Sequence, residues 1–72
     1  MIDSIRVTHV AEAIERLSGG QVNSYEATMD FAYNLLRDYP TVQAAVASFM
    51  DDKIDPDEFD AVVNTAVTLA GA

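Results

Sequence analysis

Seventy-two residues carrying four basic and twelve acidic side chains, a net charge of −8 and 50% apolar content describe one small acidic domain, residues 1–72. The charge repels phosphate backbones, so direct nucleic-acid binding is not expected, and the field favours partners with basic surfaces. With no cysteine and a single histidine, the chain has no disulfide framework, thiolate metal site or three-imidazole zinc site, and must gain stability from tight apolar packing or association.

No apolar run approaches the ~20 residues that cross a bilayer. The opening stretch MIDSIRVTHVAEAIER lacks the basic and uninterrupted apolar regions of a secretion signal, so cytoplasmic residence is expected.

The first helix is predicted over residues 4–18. Val7, Val10, Ile14 and Leu17 recur at spacings of three and four and line one side, while Thr8, Glu12, Glu15 and Arg16 take the other. Glu12 precedes Arg16 in the favourable i,i+4 order. Gly19-Gly20 ends the helix by allowing left-handed backbone.

The second, over 24–39, starts at NSYE, with Asn23 as N-cap and Glu26 three residues on in a capping-box arrangement. Tyr25, Met29, Phe31, Ala32, Tyr33, Leu35, Leu36 and Tyr39 spread over an apolar arc of roughly 200°, wider than one packing neighbour needs. Pro40 ends it. Thr41 then caps a third helix, 41–51, with Val42, Ala45, Val46, Phe49 and Met50 on one side. Gln43, Ala44, Ala47, Ser48 and Asp51 lie on the other, where small residues let another surface approach.

The fourth helix, 56–70, has the most complete start signal. Asp55 is the N-cap, Pro56 the first helical residue and Glu58 the N3 acid, while Ile54 and Phe59 have hydrophobic-staple spacing. Asp57 and Glu58 also suit the positive end of the helix dipole. Phe59, Val62, Val63, Ala66, Val67 and Ala70 form its apolar face, and Gly71 ends it.

Half of the carboxylates fall in MDDKIDPDEFD, residues 50–60. DDKIDPDEF resembles the second half of an EF-hand calcium loop: with Ile54 at position 8, Asp51 falls at 5, Asp55 at 9 and Glu58 at 12. Positions 1 and 3 then fall on Ala47 and Phe49, and Asp52 stands at 6 where that family has glycine, so capping explains the nine residues better. The same acids, Asp51, Asp52, Asp55, Asp57, Glu58 and Asp60, opposed by Lys53, form a negative patch that suits a basic partner or imitates a nucleic-acid backbone. Carboxylates at a helix start also serve simply as a solvated surface.

His9 falls on the polar side of helix one with no nucleophile or orienting partner marked, and reads as a surface histidine. Ser24 resembles the arm-bearing serine of acyl carrier proteins, but NSYE stands where that family has DSL and the preceding loop is short. It reads as a cap or first-turn residue. IERLSGG…EA, VQAAVASF and DPDEFDAVV resemble the small helical domain of anthranilate phosphoribosyltransferases and pyrimidine nucleoside phosphorylases. That resemblance implies a helical module that packs against another subunit, and it carries over no active-site residue.

The sequence thus predicts an all-α bundle of four short helices and a non-enzymatic, cofactor-free interaction protein: an adaptor, inhibitor or assembly subunit. Its expected contact residues are Tyr25, Met29 and Tyr33, whose apolar excess also predicts self-association, together with the acidic patch. A nucleic-acid-mimicking inhibitor and a degenerate EF-hand-like metal binder are the alternatives.

Overall fold

Four helices follow one another: α1 (Ser4–Leu17), α2 (Tyr25–Asp38), α3 (Pro40–Met50) and α4 (Pro56–Ala70). The computed structural model describes residues 2–20 and 24–71, and no strand occurs among them. Each helix touches the other three, and the Cα radius of gyration is 10.9 Å. The all-α bundle expected from the apolar periodicity is the fold observed.

Each helix start has its own solution to the unpaired amides of the first turn. Asp3 caps α1 by accepting a hydrogen bond from the Arg6 backbone N–H at 2.9 Å and a second from the Arg6 guanidinium at 2.6 Å. These bonds, the backbone one foremost, hold the Asp3 carboxyl below its ordinary value of 3.8. The cap therefore contributes stability above that value that is lost as pH falls through the lower, folded one. At α2 the cap is Ser24, whose Oγ accepts from the Ala27 N–H at 3.3 Å. Asn23, the expected cap, lies outside the described residues, and moving the cap to Ser24 places Ala27 rather than Glu26 at N3. The Ser24 carbonyl also accepts from the Thr28 hydroxyl at 2.9 Å, which lets that side chain sit buried in the core.

The α2–α3 corner departs from expectation. Thr41 is not a cap. Pro40 already occupies the first helical position of α3, and extended Tyr39 (φ −117°, ψ 104°) closes α2 and opens α3 with no side-chain cap bond. Proline explains both facts: it forces its predecessor out of helical geometry, and its missing N–H falls where no partner is needed. Gln43 braces the corner by donating to the Leu36 carbonyl at 2.9 Å.

Two helix ends use the same reciprocal pair of bonds. After α1, Gly20 N–H donates to the Glu15 carbonyl at 2.9 Å and Gly19 N–H to Arg16 at 3.2 Å, with φ of 82° and 71° at the glycines. After α3, Lys53 N–H donates to Ser48 at 2.9 Å and Asp52 N–H to Phe49 at 3.2 Å. This is the Schellman arrangement, and the second copy puts Asp52 in the left-handed region at φ 57°. Gly71 after α4 has φ −87° and needs no glycine.

The core is built from Val7, Val10, Ala32, Leu35, Leu36, Val42, Val46, Phe59 and Val63 with the alanines between them. Phe59 is fully buried and stacks on Phe49, ring centroids 4.7 Å apart and planes 3° from parallel. His9 meets Phe49 edge-on at 5.5 Å, so the expected surface histidine is half-buried against α3. The broad apolar arc of α2 exceeds what its neighbours cover: Tyr25 is 59% and Tyr33 41% exposed.

Asp52→Gly is expected to stabilise the fold by about 1 kcal/mol, because glycine enters the left-handed region without the penalty of a side chain. Gly19→Ala is expected to move stability the other way by a similar amount. Urea denaturation of both variants checks the pair, and a destabilised Asp52→Gly would contradict the helix-end account.

Candidate functional site

Residues 51–60 make the acidic loop and the first turn of α4, and the structure divides their carboxylates by task. Asp55 is the cap, its Oδ1 accepting the Glu58 N–H at 2.8 Å. The Glu58 carboxylate makes no return bond to Asp55 among the described residues, so the capping box is half formed. Asp52 supplies the left-handed residue of the helix end. Asp60, expected on the open patch, is withdrawn from it: Arg16 Nε and Nη2 donate to its two oxygens at 2.9 and 2.7 Å. Its side chain is only 18% exposed. This fork pins α1 to α4, and Arg16 pairs with Asp60 rather than forming a salt bridge with the i,i+4 acid Glu12. The Asp60 hydrogen bonds push the Arg16 guanidinium above its ordinary value.

Asp51, Asp52, Asp57 and Glu58 remain exposed and unbonded through their side chains among the described residues. They do not converge on an ion: among the described residues no group of three or more histidine or acidic side chains is placed to hold a metal. The left-handed backbone of Asp52, at the position where an EF-hand loop has glycine, belongs to the α3 terminus. Ala47 and Phe49, where such a loop needs ligands, sit inside α3.

Beside this loop an open apolar groove of about 520 Å³ runs along the seam of α3 and α4. Thr41, Ala44, Ala45 and Ser48 form one wall at i, i+3, i+4 and i+7, and Glu58, Ala61 and Val62 form the other, with Ile54 at the loop end. The groove exists because the bulky residues of both helices, Val42, Val46, Phe59 and Val63, turn into the core and leave alanines at the seam. Its small-residue wall on α3 was legible from Ala44 and Ser48; its α4 wall was not, because Ala61 and Val62 gain meaning only once the two helices pair.

Tyr25, Met29 and Tyr33 share one side of α2. Met29 packs against the core, Tyr25 and Tyr33 remain exposed, and the Arg37 guanidinium lies 6.0 Å from the Tyr33 ring centroid. The groove and the tyrosine stripe thus stand on different helices.

Compared with protein-family models, curated proteins and solved structures, the chain matches none of them. The likeness to phosphoribosyltransferase and phosphorylase helical domains has no such match behind it. Among the described residues no helix is long and apolar enough to cross a membrane.

Two outcomes are expected from substitutions in the acidic stretch. Asp55→Ala should cost about 0.5–2 kcal/mol through loss of the first-turn acceptor. A double-mutant cycle on Arg16→Ala and Asp60→Ala should return a coupling of about 0.5–1 kcal/mol, the upper range for an exposed pair, because the contact is bidentate. Chemical denaturation reads both; zero coupling would mean the fork does not persist in solution.

Proposed function

We propose that this chain is a non-enzymatic protein-interaction module that receives a partner protein in the α3–α4 groove, with the acidic loop attracting basic residues of that partner. The observation that carries this reading is the juxtaposition of an open apolar seam with Glu58 on its wall and the exposed carboxylates of the adjoining loop. Apolar contact supplies affinity, and the charges select against acidic partners and speed encounter with basic ones.

Several features favour this over catalysis. His9 packs against Phe49, the Glu12 carboxylate lies 3.9 Å from its Nδ1, and no hydroxyl hydrogen-bonds to it among the described residues. A nucleic-acid mimic is less well supported, because Asp3, Asp38 and Asp60 each hold an arginine and add little to a continuous negative stripe. A cytoplasmic setting suits a chain that builds its core without cysteine. Adaptor, inhibitor and assembly subunit are all roles that such a module can fill.

Immobilised wild-type chain should retain a partner from a lysate of its source that Ala44→Arg and Ala61→Arg variants lose by about tenfold or more. Both positions are exposed and arginine is a good helix former, so folding should survive, which circular dichroism verifies. Asn34→Arg, an equal charge change on exposed α2, should retain the partner. Equal retention by all four chains would remove the groove from the interface.

A further inference from the structure

Helices α2 and α3 are separated by one residue, Tyr39, and the core-facing positions on either side of it keep one register. Thr28, Ala32, Leu35, Val42 and Val46 are buried, and Tyr39 and Phe49 pack against the core. Taken in order, Thr28, Ala32, Leu35, Tyr39, Val42, Val46 and Phe49 follow in alternating steps of four and three. On one unbroken helix all of them fall within an arc of about 100°. Two helices that meet at a corner have no need to share a phase. A single helix does.

The hydrogen bonds at the corner identify what opposes fusion. Tyr39 N–H donates to the Leu35 carbonyl at 3.0 Å, as it would in a continuous helix. The next bond of that ladder would run from residue 40 to the Leu36 carbonyl, and Pro40 has no N–H to give. The Gln43 side-chain amide takes its place, donating to the Leu36 carbonyl at 2.9 Å and to the Arg37 carbonyl at 3.4 Å. Gln43 reaches them only while the chain is bent, because on a straight helix it lies two turns, ~10 Å, beyond Leu36. Pro40 thus disfavours the straight form, and Gln43 stabilises the bent one.

Straightening also needs a second chain. A helix over residues 25–50 would be ~39 Å long, more than the 31 Å longest dimension of the fold. The α3–α4 arm would leave α1 and α2, and the buried faces of both parts would lose their cover. A second copy opened at the same corner presents identical faces, so exchange of the arms restores each contact.

We propose that the Tyr39–Pro40 corner is a hinge between two states of this chain. One is the bent fold, held by Pro40 and Gln43. The other is a domain-swapped dimer in which α2 and α3 form one helix and the α3–α4 arms are exchanged. The hinge is independent of the groove as an interface, since α3 and α4 travel together and keep their seam.

Pro40→Ala tests it, because that change supplies the missing N–H to the Leu36 carbonyl in the straight form and removes the ring that clashes there. Refolded from urea at about 100 µM, the variant should contain at least about tenfold more dimer than wild type by light scattering. The chain has no cysteine, so Glu26→Cys and Met50→Cys place spin labels at two exposed positions. Labelled chain diluted with unlabelled chain reports distances within one chain by electron–electron resonance. The Pro40→Ala dimer should show a population near ~36 Å, the separation along a straight helix, and the bent wild-type chain a shorter one.

A Pro40→Ala chain with no more dimer than wild type would overturn the hinge. So would a dimer whose intrachain distance matches wild type, because such a dimer associates through its outer surface. If circular dichroism shows Pro40→Ala unfolded, Gln43→Ala decides, since it keeps the proline and removes only the bridge. Its dimer share should rise about threefold or more over wild type, and no rise rejects the hinge.

Discussion

Phe59 is the side chain on which the arrangement of α1, α3 and α4 depends. It is fully buried at the first turn of α4, stacks on Phe49 near the end of α3, and through Phe49 reaches His9 on α1. Truncating a buried phenylalanine costs about 3–5 kcal/mol, comparable with the whole stability of a domain this small. Nothing covalent stands behind it, since the chain has no cysteine. The first turn of α4 must therefore begin at one residue and no other, or the ring rotates away from its partner by about 100° per residue of slippage.

That requirement accounts for much of the acidic stretch. Asp52 lets the chain reverse out of α3, Asp55 sets the first residue of α4, and Asp60 ties the same turn to Arg16 on α1. Two of the six carboxylates in residues 51–60, those of Asp55 and Asp60, thus help to place Phe59. The pair at Asp60 is partly exposed and modest in energy, but it is geometrically specific, because a planar guanidinium meets both carboxylate oxygens. The side chains of Asp51, Asp52, Asp57 and Glu58 hydrogen-bond to no partner among the described residues. The division separates carboxylates that the fold uses from those it leaves in solvent.

Local signals were readable from the sequence wherever a residue's role is set by its immediate neighbours. The α4 start was legible because Asp55, Pro56 and the Ile54–Phe59 spacing all describe one turn, and Gly19-Gly20 marked the end of α1 for the same reason. Errors arose where two local solutions compete. Thr41 is a competent cap, but Pro40 one residue earlier is a better first helical residue, so the cap passes to Tyr39 and goes without a side-chain bond. Long-range pairings left no trace: Arg16 has an acceptable acid four residues before it, and only the approach of α4 offers the better-shaped acceptor at Asp60. His9 looked solvated because polar periodicity on α1 says nothing about an aromatic ring supplied by α3. The candidate site divides likewise, with its acids and the α3 alanines visible in the chain and the seam that joins them created by folding.

The groove and the core are two sides of one packing solution. Helices α3 and α4 send Val42, Val46, Phe59 and Val63 inward, and the alanines beside them leave the seam open. Had Ala44 or Ala61 been leucine, the seam would be filled and the core unchanged, since both positions are exposed. Burying a methylene is worth about 0.8 kcal/mol, so leucine there would add stability to a domain with little to spare. Alanine is a strong helix former, and that alone justifies one such position. An unfilled seam on two facing helices, beside carboxylates that the fold does not use, sacrifices packing on one side of the molecule.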